Sequence, residues 1–183
     1  GYGFAKKPIP GKETLFQGYL ATMMIPSQVT LIPKFILFNE IGISGTHLTL
    51  ILPGLITVTG TFLMRQYFMQ VPDELRESGY VDGASELRIW AQIMVPIAAP
   101  GMASLAMVVF LWNWNNYLDP LVFLTNWRLY TIPIALTNFI EESVTEYNLV
   151  MAASASALLP VFIVFLAGQK FFVKGLMAGA VKG

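Results

Sequence analysis

The most specific spacing of potentially functional residues lies in a polar stretch between two apolar regions of the chain. Glu77, two small residues and Gly83 are followed, after nine residues, by Ile93 to Pro96. Gly83 tolerates a left-handed backbone, and Asp82 can cap a helix that follows it. Because apolar residues then recur at helical spacing, the stretch predicts two short helices at a membrane surface, lying either on lipid headgroups or against a partner protein.

Constellations for catalysis and metal binding are absent from the sequence. It has no Gly-x-x-x-x-Gly-Lys-Ser/Thr phosphate loop, no Gly-x-Ser-x-Gly turn and no cysteine. The single histidine, His47, has no second ligand at the HExxH spacing, so a polar surface position is the default interpretation. The sequence therefore predicts a protein that is not an enzyme and binds no metal, with an intramembrane enzyme or a passive channel as the rival class.

Amide and indole side chains near the end of the third apolar segment could contact a polar solute. Asn113 and Asn116 are three residues apart and share one helix face, and polar groups at membrane depth face a helix bundle or a water-filled path. Trp112 could stack on a sugar, although aromatic residues at the end of a span also form the interfacial belt. Gln28, beside the helix-breaking Pro26, is a similar candidate.

The composition indicates a membrane protein. Hydrophobic residues make up 55% of the 183 residues and charged residues 12%, about half the charge that is usual in soluble domains. The zero net charge gives no indication of nucleic-acid binding. Long apolar runs approach the roughly 20 residues that a spanning helix needs. Four spans are predicted, approximately Thr14 to Phe38, Leu48 to Met64, Ile97 to Tyr117 and Leu149 to Phe172.

The distribution of basic residues predicts the orientation of these spans. Nine of the eleven Lys and Arg residues flank alternate connections, which places these connections in the cytoplasm. They are the N-terminal segment, the loop of residues 65–96 and the C-terminal tail of residues 173–183. The connections of residues 39–47 and 118–148 hold only Arg128 among the basic residues and are predicted to face outward.

The polar stretch resembles the cytoplasmic loop signature of ABC importer permeases, the loop through which such a permease docks on its ATPase. The match is carried by Glu77, Ser78 and Gly79, by Asp82 and Gly83, and by Pro96. The resemblance implies that Glu77 meets a basic residue of the ATPase. Ser78 and Gly79 replace the usual pair of alanines and remain small, as close packing requires.

The two ends of the chain resemble carbohydrate importer permeases, such as the smaller permease of the maltose transporter. At the C-terminal end, the tail around Lys174, Gly175 and Lys182 looks like the terminal signature of these permeases, and the resemblance implies a second contact with the ATPase. A basic anchor for anionic lipid is the alternative. The opening segment resembles the end of an earlier helix and its cytoplasmic turn, which implies a fragment with further spans before Gly1.

The resemblance covers essentially the whole chain and sets the expected function. It implies a type I ABC importer permease-like helical bundle, one multi-pass transmembrane domain in the cell membrane, which moves a carbohydrate by alternating access. The implied partners are a second, different permease subunit, an ABC ATPase dimer that uses ATP, and an extracytoplasmic solute-binding protein. The chain itself is expected to bind no cofactor. A polyol or a glycerol phosphate is the alternative solute.

Overall fold

The computed structural model describes residues 1–142 and 147–180, and every regular element in these two ranges is helical. This confirms the predicted all-helical class. Short 3₁₀ helices at Thr22–Met24 and Trp127–Leu129 and a π-helical stretch at Trp90–Met94 join the α-helices. The α-helices are α1 Tyr2–Lys6, α2 Lys12–Ala21, α3 Leu31–Glu40, α4 Leu48–Gly54, α5 Val58–Gln70, α6 Glu74–Val81, α7 Glu86–Ile89, α8 Val95–Ile97, α9 Ala99–Trp114, α10 Leu118–Phe123, α11 Ile132–Glu142 and α12 Tyr147–Ala180.

Contacts divide the chain into two compact units. The first unit comprises Gly1–Met24, Ile56–Ala106 and the chain from Gly168 onward, and the second comprises Ile25–Leu55 and Met107–Ala167. All three regions that the basic residues predict to be cytoplasmic fall in the first unit. Both connections that are predicted to face outward fall in the second unit. Charge counting and tertiary contacts thus group the connections in the same way.

Within the described residues, two helical stretches are long and apolar enough to cross a membrane. They are Leu48–Gln70 and Tyr147–Gln169. A third span results if Glu86–Ile97 and Ala99–Trp114, which meet at an angle of 72°, are taken as one broken span. These stretches correspond to the second, fourth and third predicted spans.

The first predicted span, Thr14 to Phe38, is not one helix. Helix α2 ends in the 3₁₀ turn, a bend and turns follow, and α3 begins only at Leu31. The break follows from Pro26, which has no N–H to donate and disfavours helical geometry in the residue before it. Local turn bonds replace the helical bonds: Val29 N–H donates to the Pro26 carbonyl at 3.0 Å, and Thr30 N–H donates to Ser27 at 3.2 Å.

Two prolines accompany the sharp bend between α8 and α9. Pro96 stands in the first turn of α8, directly after the π-helical stretch, and Pro100 lies in the first turn of α9. Neither residue can donate the backbone hydrogen bond that a continuous α-helix requires, and kinks concentrate at such positions. The Ser104 hydroxyl donates to the Pro100 carbonyl at 3.0 Å and so satisfies one carbonyl near the bend.

The core of the first unit lies where α5, α7 and the π-helical stretch meet. Ile89 and Met94 are completely buried, and Phe68 packs with them. Helix α1 covers this cluster, because the Tyr2 ring meets the Phe68 ring edge-on at a centroid distance of 5.4 Å. The segment before residue 12 is therefore integrated into the same core as the polar stretch.

The second unit has a separate core around α3 and α10. The rings of Phe38 and Phe123 meet edge-on at 5.1 Å, and Gly45 N–H donates to the Phe123 carbonyl at 3.1 Å. An imidazole nitrogen of His47 lies 2.8 Å from the carbonyl oxygen of Leu129 and can donate to it. His47 thus fixes a loop, which explains this lone histidine without a ligand role.

Candidate functional site

The polar stretch folds into a helix, a tight turn and a second helix. Helix α6 ends in a Schellman motif, in which Ala84 N–H donates to the Gly79 carbonyl at 2.9 Å and Gly83 N–H donates to the Tyr80 carbonyl at 3.0 Å. Gly83 adopts a φ of 73°, and a Cβ added there would have no atom within 4 Å. Asp82 precedes this turn and makes no capping bond to the next helix, which begins after Ser85.

The left-handed backbone of Gly83 yields a testable expectation. Gly83→Ala should cost about 1 kcal/mol, because a side chain disfavours this backbone conformation. Hydrogen exchange of the amides of residues 79–85 should accelerate about fivefold in consequence. Gly3→Ala is the matched control, since Gly3 lies inside α1 with nothing within 4 Å of an added Cβ. Equal exchange in both variants would contradict the assigned role of the turn.

One side of helix α6 packs against α7 and the π-helical stretch. Gly79 is buried, and a Cβ added there would lie 2.9 Å from Cγ1 of Ile89 and 3.2 Å from Cδ1 of Ile93. The close approach of α6 to the second helix therefore depends on this glycine. Ser78, its neighbour, is exposed and donates its hydroxyl to the Leu75 carbonyl at 3.0 Å.

Exposed residues of α6 and α7 away from Gly79 form a surface that we call the loop face, defined by Glu77, Val81 and Leu87. Val81 is 87% exposed and Leu87 72% exposed. Glu77 is also exposed and makes no hydrogen bond or ion pair with any residue that the structure describes. An unpaired carboxylate among exposed apolar side chains suits a partner that offers a basic residue and an apolar groove.

Lys6 ties helix α1 to the entrance of α6. Its ammonium donates to the Val71 carbonyl at 2.6 Å and pairs with the Asp73 carboxylate at 3.0 Å. The side chain is only 6% exposed, so these acceptors are needed to offset the loss of water. A further bond joins the same two helices, because the Arg76 guanidinium of α6 donates to the Lys6 carbonyl at 2.7 Å.

A second polar cluster ties α1 to α7. The Tyr2 hydroxyl donates to Oε1 of Glu86 at 2.5 Å, and the Lys7 ammonium lies 2.8 Å from the same oxygen. Nε of Arg76 and Oε2 of Glu86 are buried without a hydrogen-bond partner in the part of the chain that the structure describes, although Nε of Arg76 lies 3.9 Å from the Asp73 carboxylate. Residues 2–7 thus contact both helices of the polar stretch.

The surroundings of these clusters shift the pKa values of Glu86, Asp73 and Tyr2. Burial by itself raises the pKa of Glu86, but hydrogen bonds from Lys7 and Tyr2 outweigh burial and hold the pKa below its usual value. The hydrogen bond from Lys6 likewise lowers the pKa of Asp73. Burial and the hydrogen bond to Glu86 raise the pKa of Tyr2 to about 12.

These shifts predict how the stability of the loop depends on pH. A carboxylate whose pKa is lowered in the fold contributes stability above its unfolded pKa, and the contribution is lost as the pH falls through the folded value. Tyr2 contributes below pH 10, its unfolded value, and loses the contribution as the pH rises toward 12. Resistance of residues 71–89 to proteolysis, measured after brief exposure to each pH, should therefore be constant at neutral pH and fall at both extremes.

Single variants separate the two limbs of this profile. Glu86→Gln should reduce the acidic limb to the contribution of Asp73, and Tyr2→Phe should flatten the alkaline limb. An unchanged profile in both variants would contradict the assignment.

Two of the solute-contact candidates share a cavity of about 340 Å³ in the second unit, which Asn113, Asn116 and Thr131 line with apolar neighbours. Asn113 donates to the Val109 carbonyl at 2.8 Å, which leaves its own carbonyl oxygen available. Asn116 is bonded to Asp119 through both ends of its amide. These two hydrogen bonds join Asn116 to the first turn of α10.

The other candidates lie elsewhere. Gln28 is exposed in the turn before α3, and Trp112 is 54% exposed; neither lines this cavity. Lys174 and Gly175 belong to the last part of α12, where only the backbone is described, and Lys182 lies outside the described residues. The ATPase contact of the tail therefore stays a prediction.

Sequence reasoning missed the residues that hold the loop in place. Lys6 and Lys7 entered only as topology signals, and Tyr2, Arg76 and Glu86 carried no motif. Thr131 was also missed, although its hydroxyl is buried without a partner among the described residues. A helix-face analysis of residues 2–7 could have flagged Lys6, which shares a helix face with Tyr2 and Gly3, but not its acceptors.

Known proteins with similar sequences are permeases. The chain is 34% identical over 183 residues to the arabinooligosaccharides transport system permease protein AraQ of Bacillus subtilis, covering 100% of the chain and 65% of that protein. It is 35% identical over 182 residues to the lactose transport system permease protein LacG of Rhizobium radiobacter, with 100% and 66% covered. The sn-glycerol-3-phosphate transport system permease protein UgpE of Salmonella typhimurium is 35% identical over 170 residues, with 92% and 60% covered.

The fold has a solved counterpart. A chain in the crystal structure of a bacterial ABC transporter involved in the import of the acidic polysaccharide alginate aligns with a TM-score of 0.81, at 23% sequence identity, over 93% of this chain and 65% of that one. The chain thus spans just under two thirds of the length of these relatives. Residues 7–177 match the family described as the binding-protein-dependent transport system inner membrane component, and the chain belongs to that family.

Proposed function

We propose that this chain is part of the permease subunit of an ATP-driven importer, which moves a carbohydrate across the cell membrane by alternating access. The observation that carries the proposal is the loop face: a free glutamate among exposed apolar residues, on two helices fixed to the core behind them. Such a surface suits a separate ATPase that supplies the energy. The family is one of transport components, which favours this function over an enzyme.

The names of the relatives support the proposed solute class. Two of the relatives named above carry arabinooligosaccharides and lactose in their names, and a third carries sn-glycerol-3-phosphate. A carbohydrate is the primary proposal, and a polyol or glycerol phosphate is the alternative. The cavity with Asn113 and Thr131 supports hydroxyl-rich solutes, because amide and hydroxyl groups can exchange hydrogen bonds with sugar hydroxyls.

The proposal includes a set of partners and an orientation. The ATPase dimer binds ATP, and this chain binds no cofactor. A second, different permease subunit completes the path, and an extracytoplasmic solute-binding protein delivers the solute to the outer connections. Residues 1–12, the loop and the C-terminal tail lie in the cytoplasm, as the distribution of Lys and Arg favours.

Reconstitution tests the function directly. The full-length permease, its partner permease, the ATPase and the solute-binding protein are placed in proteoliposomes, and uptake of labelled arabinotriose, lactose and sn-glycerol 3-phosphate is measured with and without ATP. We expect ATP-dependent uptake of a carbohydrate. Uptake that does not need ATP would indicate a channel, and uptake of sn-glycerol 3-phosphate alone would establish the alternative solute.

Replacement of Asn113 tests the solute path. Asn113→Leu removes the free amide oxygen in the cavity and should lower ATP-dependent uptake about tenfold, because the hydroxyl that meets this oxygen would be left without a partner. Asn115→Leu is the control, since Asn115 also donates to a backbone carbonyl of its own helix but does not line the cavity. Equal losses in the two variants would argue against a solute contact at Asn113.

A further inference from the structure

Helix α1 holds the polar stretch by a buried lysine, and nothing in the loop signature accounts for that residue. The Lys6 ammonium bonds the last carbonyl before Pro72, that of Val71, and it reaches Asp73 at the start of α6. Val71 is itself only 6% exposed. Among the described residues no backbone N–H donates to this carbonyl, so removal of Lys6 would leave a buried acceptor without its donor.

Helix α1 also forms hydrogen bonds with the second helix of the loop, α7. Lys7, the residue after Lys6, and Tyr2, one helical turn before it, meet the Glu86 carboxylate in α7. Since α6 and α7 are each bonded to α1, the loop does not depend only on the Gly79 contact between its two helices. It is attached at its entrance and at its second helix.

The same segment is attached to α5 on its other side. The ring of Tyr2 packs on Phe68, and the Arg65 guanidinium donates to the Phe4 carbonyl at 3.4 Å. Arg65 also pairs with Glu13 at 2.5 Å and lies over the Phe16 ring at 4.1 Å. Helix α1 is therefore joined by polar contacts to both the loop and α5, and Arg65 joins α5 directly to α2.

An apolar residue at position 6 could fill the same volume without the cost of burying a charge. Replacing a buried ion pair by packed apolar residues is often neutral or favourable for stability, so stability alone does not explain a lysine here. Directional bonds to the Val71 carbonyl and Asp73, by contrast, fix the position of α6 relative to α1. The geometry favours positioning as the role of the ammonium.

We propose that Lys6 is a positioning residue that locks the loop onto α1, so that a displacement of the loop face carries α1 and α5 with it. The mechanical part of this inference rests on the proposed function of the loop. The positional part does not, and it can be tested even if the loop docks on nothing.

Hydrogen exchange in the assembled full-length complex, held in lipid nanodiscs, tests the positional part. Lys6→Met keeps the length of the side chain and removes its donors. We expect the amides of residues 73–81 to exchange about tenfold faster, because a buried carbonyl and a helix entrance lose their charged donor. Lys12→Met is the matched control, since among the described residues the Lys12 ammonium donates to the Lys7 carbonyl, at 3.2 Å, and to neither Val71 nor Asp73. It should change the exchange of these amides by less than about twofold.

Two further variants keep the test decisive. Asp73→Asn alters an exposed partner and leaves the Val71 bond intact, so it should accelerate exchange about threefold without endangering the fold. Lys6→Arg, which retains a donor, should restore protection in part. Exchange within about twofold of the wild type in both Lys6→Met and Asp73→Asn would overturn the proposal.

Coupling tests the mechanical part. In proteoliposomes, the Lys6→Met complex should retain its ATPase, since the loop face is unaltered, yet import about fivefold less lactose per ATP hydrolysed. An unchanged ratio would overturn the transmission role, and so would a loss of uptake explained fully by a loss of bound ATPase. If the ATPase stays bound to the Val81→Glu permease, the proposed docking function is wrong. The exchange experiment still tests whether Lys6 positions the loop on α1.

Discussion

Val81→Glu is expected to lower recovery of the ATPase with the permease at least about tenfold, because about 1.4 kcal/mol of binding free energy corresponds to a tenfold change in affinity. Val81 is 87% exposed at the end of α6, the most exposed apolar side chain of the loop face. Valine is seldom a hot spot of an interface, so the contact of its side chain is expected to contribute about 1 kcal/mol. The variant removes this contribution and adds a carboxylate that must lose its water on docking.

Affinity purification of the tagged permease from membranes, followed by quantification of bound ATPase, measures this effect. Ile9→Glu is the control, because Ile9 is also exposed, at 44%, and belongs to the same unit but not to the loop face. Full recovery of the ATPase with Val81→Glu would show that the loop face does not dock it. Equal losses in the two variants would point to a general effect of added charge.

Gly101→Val should cost about 3 kcal/mol of stability, since overpacking of a tight helix contact costs this much. Gly101 lies in α9 against α5, and a Cβ at this position would lie 2.5 to 2.6 Å from three atoms of the Tyr67 ring. These atoms include Cγ, so rotation of the ring does not relieve the clash. Close approach of two helices at a small residue is a common way to associate in membranes.

The midpoint of heat-induced aggregation of the detergent-solubilised permease measures this cost. Ala99→Val is the matched control, because Ala99 lies two residues earlier and its surface is exposed. We expect a clear drop of the midpoint for Gly101→Val and little change for Ala99→Val. Equal midpoints for the two variants would mean that α5 and α9 do not pack through Gly101.

The turn of the polar stretch was accessible to sequence reasoning because its rule is local. Asp82 and Gly83 predict a turn with a left-handed residue, and Gly83 adopts a φ of 73°. The all-helical class likewise follows from long apolar runs. Both predictions depend only on residue types within a few positions of each other.

The role of Gly79 was harder to predict because its neighbours are distant in sequence. Smallness at this position suggests close packing against a partner, yet the side chains that limit its space are Ile89 and Ile93 of the same chain. The sequence does not reveal which side of a short helix turns inward when apolar residues such as Val81 lie on the exposed side as well.

The attachment of the loop to α1 could not be predicted from the sequence, because the residues that make it are also far apart along the chain. Lys6 and Val71 are 65 residues apart, and Tyr2 and Glu86 are 84 residues apart. No periodicity or local motif links such pairs. The break in the first predicted span was partly visible in Pro26, but its consequence, a turn instead of a kinked helix, depends on the bonds that the following residues make.

Photo-crosslinking at Val81 tests whether the loop face docks on the ATPase. A benzoylphenylalanine placed at this position in the full-length permease, within membranes that contain all partners, is irradiated and its adducts are identified by mass spectrometry. We expect a covalent adduct with the ATPase, and no such adduct when the same group replaces Trp127, which is 72% exposed in the second unit. An adduct only with lipid at Val81, or an ATPase adduct from Trp127, would show that the loop face is not the docking surface.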